Sequence, residues 1–185
     1  MAVDKWTLIG IPADTPIEQA KATDFVLAGT SEFSHEFENE LREKIRGNRK
    51  DWSAGVVEET IEVTFPYDKN IKGDRNFKEA CKYGKQMRFW IINNDVVKYT
   101  DTDTQAEVEG HNATFAYVIP DGRTLEVDDE DENIEVSLKV KLNSADGYEP
   151  KLPAEIIDPS VASAIVYESI GEATGDAEDA TTQNI

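Results

Sequence analysis

Two histidines and one cysteine are the side chains of this 185-residue chain best suited to soft-metal or nucleophilic chemistry. His35, Cys81 and His111 stand far apart, and none belongs to a spacing that binds zinc. Carboxylates are abundant enough that any single pair is uninformative about glycoside hydrolysis. The run Asp128-Asp129-Glu130-Asp131-Glu132 lacks the alternate spacing, glycine and terminal glutamate of an EF-hand. Asp101-x-Asp103 begins such a spacing, but Ala106 and Asn112 stand where the glycine and glutamate belong. Solvated loops account for both stretches. A glycine-rich phosphate cradle, a nucleophile elbow and an HExxH helix are all missing from the sequence. The expectation is a protein without catalysis, cofactor or metal.

Charge points the same way. Nineteen basic and thirty-eight acidic residues leave −19, a balance that repels nucleic acid and anionic lipid from most of the surface. Residues 42–88 hold twelve basic and eight acidic side chains, net +4, while the remainder holds seven and thirty, net −23. Such polarity lets copies of one chain attract each other through opposite patches. The absence of a signal-peptide plan and of a long apolar segment predicts a protein made in a cytoplasm and not held in a membrane.

The elements that must position these charges are mostly strands. Ile134, Val136, Leu138, Val140 and Leu142 alternate with polar residues, so this segment has one buried and one wet side. Val56 to Phe65 repeats the pattern and is closed by Pro66. Short strands are predicted over Trp6–Ile11, Asp24–Ala28 and Gln86–Ile92. Asn93-Asn94-Asp95 reads as a hairpin turn returning through Val96–Tyr99, and Pro120-Asp121-Gly122 as another turn. One helix is predicted after Asp74 as N-cap, with Phe77, Ala80 and Cys81 on its inner face and Gly84 as its stop. Its outer face carries Arg75, Lys78 and Lys82, read as a solvated face. Residues 30–46 are ambiguous, and Phe33, Phe37, Leu41 and Ile45 tilt the pattern towards a helix. The sequence beyond Lys151 contains no basic residue, and disorder is expected from Gly171 onward. The organisation predicted is a β domain over 1–150 and an acidic extension over 151–185.

The ordered set DWSAGVVEETIEVTF, DRNFKEACKYGKQ, MRFWIIN, NATFAYVIPDG and NIEVSLKVKL resembles the major tail proteins that form the tail tube of long-tailed, siphovirus-type bacteriophages. The resemblance covers about residues 52–150, and the opening MAVDKWTLIG also looks like the family's short start. It implies a mainly β fold: an antiparallel sandwich or small barrel with one flanking helix, six copies closing into a ring, and rings stacking into a conduit for DNA ejection. It further implies an extended strand and a long loop over 30–50, against the helical pattern; the resemblance is followed here.

Within that reading the partners are other copies of the chain, together with tape measure, tail terminator and baseplate hub proteins, in a virion tail assembled in the host cytoplasm. DNA carries a negative charge every ~1.7 Å, so a carboxylate-lined bore lets it pass without adhering. Glu58, Glu62 and Glu135 are candidate lumen residues, with outer surface as the alternative for their strand faces. Arg42, Lys44, Arg46, Arg49 and Lys50 are candidates for the inter-subunit loop. A rival reading is a carbohydrate-binding β-sandwich, which requires an exposed aromatic platform drawn from Trp6, Trp52 and Trp90.

Overall fold

The computed structural model describes residues 5–21, 25–46, 48–67, 72–101, 104–127, 132–153 and 156. Its strands are β1 (Trp6–Pro12), β2 (Glu32–Asn39), β3 (Arg42–Arg46), β4 (Arg49–Ser53), β5 (Val57–Pro66), β6 (Met87–Thr100), β7 (Glu107–Val127), β8 (Glu132–Val140) and β9 (Ala145–Pro150), with one helix, α1 (Lys72–Tyr83). The main sheet is antiparallel, in the order β1-β6-β7-β8-β5-β2, with β9 also on β7. Strands β3 and β4 form a separate two-stranded arm.

Alternation explains the core. Ile61, Val63 and Phe65 of β5 face the same interior as Ile134, Val136 and Leu138 of β8, and all six are buried. The sheet curls enough for Trp6 of β1 to sit edge-on to Phe33 of β2, ring centroids 5.6 Å apart, although the two strands do not pair. Helix α1 fills the interior with Phe77, which lies between Phe65 and Phe89. Gly10 permits this, because a Cβ there would stand 2.7 Å from the Phe77 ring. A second, smaller core on the other face of β1 and β6 joins Ile9, Ile11, Phe25, Ile92 and Ala113, with Trp90 and Leu152 against it.

Several sequence expectations are corrected. The helical pattern in 30–46 gives way to the extended reading followed for it: Glu32–Asn39 and Arg42–Arg46 are strands, and Phe33 packs on the main core because β2 pairs with β5. Asn93-Asn94-Asp95 is a bulge within β6; the Asn93 side chain accepts the Asp95 N–H, and Val96–Thr100 stay paired with β7. Pro120-Asp121-Gly122 is likewise a bulge, where the proline's missing donor falls at a register shift and β7 runs on. Asp74 is the third residue of α1 rather than its cap, and it accepts a 2.6 Å bond from Arg123 Nε. Gly84 does end the helix, with φ 62°. Within the segment read as a loop, Arg46 pairs with Arg49 and Lys50 with Ile45 at the end of the arm. The segment after Leu142 contains strand β9, and β8 stops at Val140. Val26 makes only an isolated bridge to Ile9, not a strand. The element sought at 162–170, most of the acidic extension and residues 128–131 lie outside the described residues.

Candidate assembly surfaces

The residues of β5 that point away from the core are Glu58, Thr60, Glu62 and Thr64. Cross-strand partners in an antiparallel pair share a face, so the register extends this set sideways. Ser34, Glu62, Ser137 and Gly122 form one row across β2, β5, β8 and β7. Glu32, Thr64, Glu135 and Thr124 form the next, and Glu36, Thr60 and Lys139 another. Carboxylates therefore alternate with hydroxyls, and Glu62 has a serine on each side. The exception is Glu38 opposite Glu58, where Lys139 Nζ lies 3.6 Å from Glu58 and donates to Thr60 Oγ1 at 3.0 Å. A shallow trough of about 290 Å³ crosses all four strands, lined by Glu32, Ser34, Glu62, Thr124, Glu135 and Ser137 among others. The face is thus acidic and concave. All three candidate lumen glutamates lie on it.

Both margins of this four-strand face are open. Among the described residues β2 has β5 as its only strand partner, and β7 from Ile119 to Val127 has only β8. Unpaired edges of this kind template pairing with another chain.

The arm leaves the body between β2 and β5. Its root is tight: the Glu40 N–H donates to the Val56 carbonyl at 2.9 Å, and a Cβ on Gly55 would stand 1.8 Å from the Glu40 carbonyl oxygen. The register pairs Glu43 with Trp52 and Ile45 with Lys50, which puts Ile45 and Trp52 on one face. Both are largely exposed, 74% and 55%. Lys50 bonds Glu43 on that face at 3.0 Å. The other face carries Arg42, Lys44 and Arg49 with Asp51 and Ser53. Of the five predicted loop cations, the structure brings these three together; Lys50 lies on the apolar face, and Arg46 is placed only by its register opposite Arg49.

One polar cluster was missed in the sequence. Glu59 is buried, and its carboxylate lies 2.6 Å from His35 Nε2 of β2 while accepting the Ser144 N–H at 3.0 Å. Burial pushes this carboxyl up, but the bonds from Ser144 and His35 outweigh it and hold it below the ordinary glutamate range. The signal was available, since Glu59 falls on the apolar parity of β5. The other chemical candidates stay apart. His111 is fully buried, and no described side chain or backbone group bonds its ring nitrogens. Cys81 is half-buried, and burial pushes its thiol up. No group of three His, Cys, Asp or Glu residues that could hold a metal occurs among the described residues. Trp6 packs on Phe33, Trp90 packs on Phe115 at 5.0 Å, and Trp52 is on the arm, so the three form no shared platform.

No protein-family model matches the chain. It is 34% identical over 168 residues to a protein of Staphylococcus phage phiMR11 named as a tail protein, an alignment covering 90% of this chain and 85% of the relative. The chain belongs to the phage tail proteins. The fold of this tail protein is that of a tail tube subunit. It superposes on a chain of the SPP1 tail tube with a TM-score of 0.68 at 19% identity, covering 94% of each chain. A chain of the native gene transfer agent virion gives 0.52 at 9% identity, covering 78% of the tail protein and 97% of that chain. A chain of the anti-feeding prophage baseplate gives 0.51 at 12% identity, covering 77% and 92%. The role is structural and its place is the virion tail. No helix among the described residues is long and apolar enough to cross a membrane.

Proposed function

We propose that the protein is the tube-forming subunit, closing into hexameric rings that stack around the path of the ejected genome. The observation that carries this reading is the concave carboxylate face with both margins open. Strands β2, β5, β8 and β7 alternate in direction, so a neighbour's β2 placed beside Ile119–Val127 continues the alternation without conflict. Four strands from each subunit then make one continuous barrel wall. Its inner surface is the glutamate and hydroxyl face, with Glu58, Glu62 and Glu135 towards the bore. A heterologous contact of this kind closes only at a suitable rotation, and the curvature of the trough supplies one. Fixed carboxylates keep the duplex off the wall, since each cationic phosphate contact would retard it. The arm, with its apolar and cationic faces, reaches the next ring. Tape measure, tail terminator and baseplate hub proteins are the further partners at the bore and the two ends.

The test is a disulfide placed across the seam. In a Cys81→Ser background, Glu32→Cys on β2 and Thr124→Cys on β7, which share one row of the register, should give an oxidation ladder ending at the hexamer. Negative-stain images of the same sample should show hollow rings or tubes. A preparation that forms particles without any ladder would overturn the seam, and one that stays monomeric in the presence of seeded tails would overturn the tube.

A further inference from the structure

The arm stands at one end of the four-strand sheet, and the end of the β7–β8 ladder stands at the other. Strand β5 runs from Val57, beside Asn39 of β2, to Pro66, beside Asn133 of β8. The arm is the excursion between Asn39 and Val57, so it projects from the first of these ends. Its strands are long enough to reach about 17 Å beyond the sheet. At the second end β2 begins at Glu32, and the pairing of β7 with β8 finishes at Val127 and Glu132. Strands of a barrel wall are tilted but still cross from one rim to the other. Head-to-tail stacking therefore brings the arm of one ring to the Glu32 and Val127 rim of the next.

Closing the ring leaves that rim short of a cation. The register places Glu32 in one row with Thr124, and Glu126 is the next side chain of β7 on the same face. When β2 of one copy lies beside β7 of its neighbour, Glu32 and Glu126 come together diagonally across the seam. Like charges facing each other across a ladder destabilise it. Both glutamates are exposed, and among the described residues neither forms an ion pair. The arm supplies the opposite sign, because Arg42, Lys44 and Arg49 share its polar face with a single carboxylate, Asp51. There is one arm for every seam. Apolar surface matches as well. Ile45 and Trp52 occupy the other face of the arm, while Leu125 and Val127, 45% and 62% exposed, occupy the other face of the rim. An arm lying edge to edge with the rim sets apolar beside apolar and cation beside carboxylate.

We propose that the cationic face of the arm docks on the seam carboxylates of the adjacent ring, where Arg42, Lys44 and Arg49 meet Glu126 of one copy and Glu32 of its neighbour. The proposal rests on the ring reading. Two copies build the receiving site, so it exists only once their seam has closed, and stacking follows closure. Arg42→Glu with Arg49→Glu should leave the melting temperature of the free subunit unchanged, because both side chains are exposed. Closed rings should still form from this variant in negative stain. Seeded tubes should become at least about 10-fold rarer relative to single rings. Glu126→Arg alone should lower the ratio too, since it turns a cation towards the arm. Joining Glu126→Arg to the reversed arm should raise the ratio at least about 5-fold above either parent. A reversed arm that stacks like wild type, or a joined variant no better than its parents, would overturn the docking while leaving the ring standing. Wild-type protein that closes no ring would remove the ring reading and the docking with it.

Discussion

Glu59 and His35 are bonded at 2.6 Å across the β5–β2 ladder, with side chains only 6% and 18% exposed. The same carboxylate holds Ser144 just before β9, so one buried group ties β2 to the connection between β8 and β9. Replacing Glu59 by Gln weakens two charge-assisted bonds at a site closed to water. The loss expected is about 1–3 kcal/mol in urea unfolding. Faster hydrogen exchange should appear first at residues 32–39. Unchanged exchange there would show that the ladder alone holds β2.

The acid dependence follows from the same contact. The folded carboxyl is depressed, so its contribution is complete above the unfolded glutamate value of ~4.3 and is lost as pH falls through the lower folded value. Stability curves of wild type and Glu59→Gln should therefore converge as pH drops below ~4. A constant gap down to pH 3 would refute this.

Arg123 and Asp74 form the other buried pair, 2.6 Å apart and 12% and 11% exposed, and they tie α1 to the seam half of β7. Arg123→Met leaves an unpaired buried carboxylate and should cost about 3–5 kcal/mol by chemical denaturation. Adding Asp74→Asn to that variant should recover much of the loss. A double variant no better than the single would mean that the guanidinium acts through packing.

Gly55 sits where the arm meets the body. A Cβ there collides with the Glu40 carbonyl, which cannot yield as a flexible side-chain end would. Gly55→Ala should open the Glu40–Val56 bond and raise proteolysis at the arm while lowering the melting temperature of the body by no more than ~3 °C. Ring stacking should weaken more than ring closure, as read from the ratio of tubes to single rings.

Lysine in place of Glu62 or Glu135 puts a ring of cations on the proposed bore. Neither side chain contributes to the core, so tubes should form at near-normal yield. Genome release triggered in vitro should slow, and adding salt should restore part of the rate, because phosphate contacts are screened. Normal release from lysine-substituted tubes would place that face on the outside.

Much of this was legible in the residues. The alternation in 57–65 and 134–140 gave both the strands and their wet faces, and the helix was bounded by Gly84 as expected. The failures have a common cause. Asn93-Asn94-Asp95 and Pro120-Asp121-Gly122 carry turn chemistry, but a bulge uses the same residues, and only the distant partner strand decides between them. Phe33 and Phe37 fit helical and strand periods alike until β5 supplies the other half of the ladder. Leu142 looked like the last apolar position of a strand. Its backbone is left-handed, φ 71°, and no local pattern announces that.

Strand β7 runs for 21 residues through one bulge, pairing with β6 and β9 in its first half and with β8 in its second. A single backbone is therefore shared by the wall of the proposed duct and by the layer behind it. Shear between those layers would have to tear a ladder rather than slide an interface. When a flexible tail bows, each building block should travel as a stiff unit, and the give must come from the joints between blocks.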